Sequence, residues 1–192
     1  MNDALTPQAL PPVGDIHTHN LLAPAGDAII AMPKQWLLQP SQFAPRPGAF
    51  YSCGIHPWWT ADAAELPLLI AGFEALVVHP QVVALGECGF DRLRGADLAL
   101  QEHLFLHQTN FAPAASLPLV LHCVRAFDVL LRLHKQMPAP RLWVIHGFRG
   151  NPVLARQLLS AGFRLSFGTH YNAESFALTP PDCRYRETDE DF

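Results

Sequence analysis

Apolar residues recur along this chain in short runs with a period of two, and stretches of helical character separate most of the runs. Successive side chains of a strand point to opposite faces, so the alternation predicts strands over 13–19, 28–32, 49–56, 82–91, 117–124, 142–148, 163–168 and 184–189. Helix signals fall between them. Asp97 stands at a capping position ahead of Leu98, Leu104, Phe105, Gln108 and Phe111, and Asn151 with Pro152 forms a cap and first-turn pair that Gly162 closes. Phe127, Leu130, Leu131 and His134 follow an i, i+3, i+4, i+7 spacing, which predicts a core-facing stripe.

Strand followed by helix, repeated, implies a parallel sheet and the α/β class, and eight strands are the number that closes a (β/α)₈ TIM-type barrel. Such barrels typically need about 250 residues, and this chain has 192. A trimmed barrel is therefore expected. Residues 20–49 leave little room for full helices around the second strand. Only Glu190, Asp191 and Phe192 follow Asp189, so the last helix is expected to be missing. The outward faces of the first and eighth strands, Ile16 included, would then rely on the apolar, proline-rich segment 4–13 for cover. A strip left uncovered invites self-association. No repeat or linker interrupts the chain, so one domain over 1–192 is expected, with 40–47 as a loop.

Composition narrows the function classes. Apolar residues make up 49% and charged residues 16%, which fits a well-buried core. A net charge of −4 argues against a broad basic face that coats duplex DNA, while leaving room for a locally positive pocket. No apolar run is long enough for a membrane span, and the start, MNDALTPQALPPVGD, has neither a basic nor an apolar leader region, so a cytoplasmic location is expected. Cys53, Cys88, Cys123 and Cys183 lie far apart without CxxC spacing, which favours reduced thiols.

The candidate chemistry begins with "DIHTHN" at 15–20. On a strand, Asp15, His17 and His19 share one face, opposite Ile16 and Thr18. The same alternation aligns Val83, Leu85 and Glu87; Pro118, Val120 and His122; Leu142, Val144 and His146; and Tyr185, Glu187 and Asp189. These series end on metal-competent groups near the C-terminal ends of their strands, where barrel enzymes keep their active sites. His17, His19, Glu87, His122, His146 and Asp189 are too many ligands for one tetrahedral zinc. They suit two divalent cations roughly 3.5–4 Å apart, bridged by a carboxylate. Without thiolates the set admits Zn²⁺, Mn²⁺, Co²⁺ and, less comfortably, Mg²⁺. Asp189 is placed to be both ligand and base, and Asp15 to stand behind a ligand. Arg92, Arg125 and Arg149 follow the ligands by a few residues, in loops above the same face, where a guanidinium fork suits phosphate. Trp58 and Trp59 have two readings, a wall on which a base stacks or a cover for the barrel mouth. His79, His103, His107 and His134 read as structural or exposed.

The motifs "DIHTHN", "GIHPWW", "ALGECGFDR", "PLVLHCVRAFDVLL", "VIHGFRG" and "RETD" occur in an order that resembles the TatD family of metal-dependent hydrolases, often described as deoxyribonucleases. The resemblance implies a (β/α)₈ barrel with one metal at His17, His19 and Asp189 and a second at His122 and His146. Glu87 would lie between them, and His56 near the substrate phosphate. The chain departs from the family pattern in "HGFRG" and in stopping soon after "ETD", as a compact member lacking the C-terminal helix. Three functions follow. The first is a phosphodiesterase acting on DNA ends or short single strands. The second is a two-metal amide, ester or lactone hydrolase of a small molecule, and the third a non-catalytic binding protein that retains the ligands. The rim arginines favour nucleic-acid ends or another phosphate ester. No membrane partner is expected.

Overall fold

A computed structural model describes residues 9–137 and 141–189. Eight strands pair in parallel, each with its neighbour in chain order: β1 (Asp15–Thr18), β2 (Ala28–Ala31), β3 (Phe50–Cys53), β4 (Val82–Asp91), β5 (Leu119–Val124), β6 (Trp143–Ile145), β7 (Arg164–Phe167) and β8 (Arg184–Arg186). A parallel bridge between Thr18 and Thr188 brings the last strand round to the first, so the sheet forms a nearly closed TIM-type barrel. The helices are α1 (Lys34–Leu38), α2 (Leu66–Leu76), α3 (Leu98–Asn110), α4 (Phe127–Gln136), α5 (Pro152–Ser160) and α6 (Ala173–Leu178). The expected strands are all present, and β4 has its expected bounds. Most others end sooner, which leaves His19, His56, His146 and Asp189 in the loops just past the strand ends. As expected, α1 is short.

Two apolar layers divide the strand residues. Ile30, Tyr51, Leu85, Leu119, Leu121, Ile145 and Leu165 pack with helix residues such as Leu37, Phe73, Phe105, Leu130 and Leu158, so they face outward. Ile16, Ile29 and Val144 cluster with Phe50, Val83 and Tyr185 and with no helix, so they fill the barrel interior. The helix caps behave as read. The Asp97 carboxylate accepts the Leu100 N–H at 2.9 Å, the Asn151 side chain accepts that of Leu154 at 2.9 Å, and Gly162 has φ +97° beyond α5. Replacing Asp97 by alanine should cost about 1 kcal/mol, read by urea denaturation. Helix α1 lies directly on α2 at Gly72, where a Cβ would come within 1.8 Å of the Leu37 carbonyl oxygen.

Three expectations are corrected. Ile16 is not on the outer face; it is 1% exposed and inside. Strand β1 slips register against β2, with three residues from Asp15 to Thr18 spanning two on the partner. The extra residue lets the adjacent Ile16 and His17 both lie inside, which simple alternation forbids. Asp15 consequently leaves the histidine face. Its carboxylate accepts the N–H of His17 at 3.0 Å and of Thr188 at 3.2 Å, together with the Thr188 hydroxyl, and so ties β1 to the end of β8. Among the described residues, the apolar side chains of β1 and β8, Ile16 and Tyr185, lie inside the barrel and not on the expected outer strip. Tyr185 packs inward, and its neighbours Arg184 and Arg186 lie with their guanidiniums 4.1 and 4.7 Å from the Phe176 ring. Of the expected cover, 4–8 lies outside the described residues, whereas Leu10 and Val13 pack against the inner cluster. Residues 190–192 also lie outside the described residues.

In β4 the register slips twice, so Leu85 faces outward although alternation groups it with Glu87. The α4 stripe is turned slightly from its expected line. Val129, Leu130 and Leu133 are buried, with Phe127 and Leu131 at the flanks. His134 packs against the rings of Trp143 and Phe163 at 5.1 and 4.7 Å, and burial lowers its pKa. A depressed histidine pKa means the unfolded chain binds the extra proton first. The contribution of His134 to stability is therefore full above its ordinary 6.5 and falls as pH drops below it. His134→Phe should flatten that part of the acid limb, measured by denaturation between pH 7 and pH 5.

Candidate metal centre

The C-terminal mouth of the barrel gathers five imidazoles around one carboxylate. Glu87 Oε1 lies 2.9 Å from His56 Nε2, 2.8 Å from His122 Nδ1 and 2.7 Å from His146 Nε2. Glu87 Oε2 lies 3.3 Å from His17 Nε2 and 3.6 Å from His19 Nε2. Asp189 stands on the open side. Its Oδ1 is 3.5 Å from His19 and 3.8 Å from His17, and its Oδ2 is 3.8 Å from His146 Nδ1. Apart from His19 and Asp189 these side chains are buried.

Most of these groups stand at or just past the C-terminal ends of strands. His17 is carried by β1 and His19 follows it, Glu87 sits within β4, His122 in β5, and His146 directly after β6. His56 follows β3 and caps a short 3-10 turn, Pro57–Ala61, by accepting the Trp58 N–H at Nδ1 over 3.0 Å. That bond leaves Nε2 pointing at Glu87.

Burial penalises the Glu87 anion, but the charges of His146, His56 and His17 outweigh it and hold the carboxyl well below its usual range. Burial likewise disfavours the His146 cation, and Glu87 and Glu187 reverse this and raise its pKa well above the usual value. For His122, Asp91 and Glu87 overcome burial in the same direction.

The donors group into sets whose ligand atoms lie within 4.8 Å of one another: His17, His19 and Asp189; His17, Glu87 and His146; His56, Glu87 and His122; and His146, Glu187 and Asp189. Both ring nitrogens of His17, Nδ1 of His146 and Oε2 of Glu187 are buried without a hydrogen-bond partner among the described residues. Unsatisfied buried polar atoms cost about 1–3 kcal/mol each. An all-nitrogen-and-oxygen donor set with such atoms fits divalent cations.

The six residues read from strand alternation thus converge, and His56 joins them. The rim arginines do not act alike. Arg92, Arg125 and Arg149 are all exposed in the loops after β4, β5 and β6. Arg92, however, pairs with Asp128 in the first turn of α4 at 2.8 Å. The tryptophans also divide. Trp59 packs against the outer core, while Trp58 remains 40% exposed beside the rings of His56 and His122.

Two buried carboxylates were not singled out from the sequence. Glu187 accepts the Gly147 N–H at 2.6 Å and stands 3.7 Å from His146 Nδ1. Asp91 ends β4, with Oδ2 3.2 Å from His122 Nε2. Both carried a signal, because each is an even number of residues from a candidate ligand on its own strand run.

The family model described as TatD related DNase matches residues 34–190. The 3'-5' ssDNA/RNA exonuclease TatD of Cronobacter turicensis is 36% identical over 128 residues, 62% of this chain and 45% of that protein. An uncharacterized metal-dependent hydrolase of Haemophilus influenzae is 27% identical over 151 residues, 72% of this chain and 58% of that one. The chain spans about half the length of the curated relatives it matches. The crystal structure of YjjV, a TatD homolog from Escherichia coli, superposes with a TM-score of 0.68 at 24% identity, covering 91% of this chain and 77% of that one, which shows the shared fold.

Proposed function

The chain belongs to the family of TatD-related DNases, and on that premise we propose that it is a divalent-metal-dependent phosphodiesterase acting on nucleic-acid ends or short single strands. The observation that carries this reading is the convergence of five imidazoles on Glu87 at the barrel mouth. We assign one cation to His17, His19 and Asp189 and a second to His122 and His146, with Glu87 shared. Zn²⁺, Mn²⁺ and Co²⁺ suit these donors best, and Mg²⁺ less well.

Bound there, such cations supply Lewis acidity at a phosphoryl oxygen and make water acidic at neutral pH. The chain's own groups do the rest. Asp189 stands at the open side of the cluster, with Oδ1 facing His17 and His19 and Oδ2 3.8 Å from His146 Nδ1, and its carboxylate would orient the attacking water and take its proton. His56 would turn its Nε2–H from Glu87 Oε1, 2.9 Å away here, to a non-bridging phosphate oxygen once Glu87 is engaged by the cations. Trp58 offers an aromatic face for the terminal base, and Arg125 and Arg149 hold the following phosphates. No helix among the described residues is long and apolar enough to cross a membrane, and the cytoplasm is the compartment we infer.

Metal analysis of the purified protein, followed by assays on end-labelled single strands and on a neutral ester, tests the reading. Two equivalents of metal with cleavage of the nucleic acid are expected. Cleavage of the ester alone would transfer the site to a small-molecule hydrolase, and absence of metal would remove the assignment. Arg125→Ala and Arg149→Ala should each raise KM for the strand about 2- to 5-fold, the worth of an exposed charge, with metal content unchanged. Equal KM values would take the arginines out of phosphate recognition.

A further inference from the structure

His122 has a carboxylate within hydrogen-bonding distance of each ring nitrogen. Nδ1 lies 2.8 Å from Glu87 Oε1, and Nε2 lies 3.2 Å from Asp91 Oδ2. Asp91 is 2% exposed and held on every side. Its Oδ1 accepts the N–H groups of Leu93 at 2.7 Å and Arg94 at 3.1 Å, and its Oδ2 accepts the Trp58 indole N–H at 2.6 Å. The amide of Gln101 pairs with its backbone, accepting the Asp91 N–H at 2.8 Å and donating to the Asp91 carbonyl at 2.9 Å. Three N–H donors thus converge on its two oxygens, so both oxygens serve as acceptors.

An ionised carboxylate only accepts. Each ring nitrogen that faces such a carboxylate carries hydrogen; a cation shared with Glu87 would displace the hydrogen at Nδ1, while Asp91, outside the ligand set, keeps the one at Nε2. We infer that Asp91 is a positioning residue that fixes His122 in the Nε2–H tautomer, so that Nδ1 is the atom offered to a cation, and that the same carboxylate tethers Trp58 at the mouth. The inference rests on the metal-centre reading proposed above and extends it to a residue outside the ligand set. The carboxylate joins the ligand to the exposed aromatic wall through one oxygen atom, Oδ2. The guanidinium of Arg94 lies 4.2 Å from the Trp58 ring centre, and its backbone N–H also binds Asp91. Ligand, wall and rim cation are thus held by one side chain.

Asp91→Asn is the discriminating variant because it preserves volume and reverses one oxygen. With its oxygen on Leu93 and Arg94, the asparagine amide faces His122 and conflicts only with the Trp58 N–H. Flipped, its amide would face two backbone donors. The first orientation is favoured, and it turns His122 Nε2 into an acceptor, moves the hydrogen to Nδ1 and blocks ligation there.

Zn²⁺ titration of metal-stripped protein, with long-range ¹H–¹⁵N spectra of the histidines in the zinc-loaded form, tests this. In the parent, two equivalents should bind and His122 should show Nε2–H with a metal-shifted Nδ1. In Asp91→Asn one equivalent should weaken about 10- to 100-fold, the usual effect of losing a ligand's orienting partner. The other equivalent should bind as in the parent. Trp58→Phe, which keeps the Asp91–His122 pair, should retain both affinities and the parent tautomer while changing the exposed wall. Equal zinc affinities in parent and Asp91→Asn, or an Nδ1–H tautomer in the parent, overturns the inference and leaves the metal centre standing. A parent that binds no zinc overturns both.

Discussion

Glu87→Ala is expected to lower phosphodiester hydrolysis by about 10³-fold or more, the scale set by removing a central electrostatic element of an active site, while the barrel remains folded. Among the described residues no other side chain at the mouth meets five imidazoles. Its loss removes the shared carboxylate from both proposed cation positions at once. Folding should survive because Glu87 points into the mouth, away from the helix-facing layer of Tyr51, Leu119 and Leu165. Circular dichroism and metal content should accompany the kinetics. Full activity after metal stripping and reconstitution would remove the shared-carboxylate assignment.

The same variant should change the pH dependence of the metal-free protein. The pKa values of His146 and His122 are raised above the ordinary 6.5, so their contribution is complete below pH 6.5 and is lost as pH climbs through the raised values. Glu87 and Glu187 are shifted below the ordinary 4.5, so their contribution is complete above pH 4.5 and is lost on further acidification. These four groups therefore stabilise the metal-free fold most between pH 4.5 and 6.5, offset in part by His56, whose pKa burial lowers. The stability difference between parent and Glu87→Ala in chelator should be largest in that window and shrink towards pH 9. A difference that grows with alkalinity would contradict the charge arrangement.

Gly89→Ala is expected to destabilise the protein by about 3 kcal/mol or more, the upper range of overpacking in a closed site. Strand β4 pairs Gly89 with His122 on β5, and an added Cβ would stand 2.1 Å from the His122 carbonyl oxygen. The residue also has φ +136°, which a side chain resists. Both strands would have to separate where one carries Glu87 and the other His122. For a chain of this size the melting temperature should fall by roughly 6–12 °C, with zinc binding weakened as well. A melting temperature within 2 °C of the parent would show that β4 and β5 do not approach so closely.

Local rules made much of this protein legible. The caps Asp97 and Asn151 could be read because a cap is settled within four residues. The eight strands and the inward series ending at His122 and His146 could be read because alternation is a property of one strand. Grouping Ile16 with the outer face failed because the slip in β1 is defined only against β2, through pairings that no stretch of β1 specifies. Leu85 misled for the same reason, since β4 slips against both β3 and β5. Arg92 keeps its expected place on the rim, where α4 sets Asp128 beside it, and Asp91 and Glu187 became part of the site only when β5 and β6 brought His122 and His146 against them.

The sequence by itself determined the order of elements, the metal-competent donors and the end of the barrel where they gather, because periodicity and spacing are short-range. Only the tertiary structure decided which donors share Glu87 and which ring nitrogen each histidine presents. It also decided that Arg92 meets Asp128. Those outcomes depend on strand register and on contacts between residues such as Asp15 and Thr188, 173 positions apart.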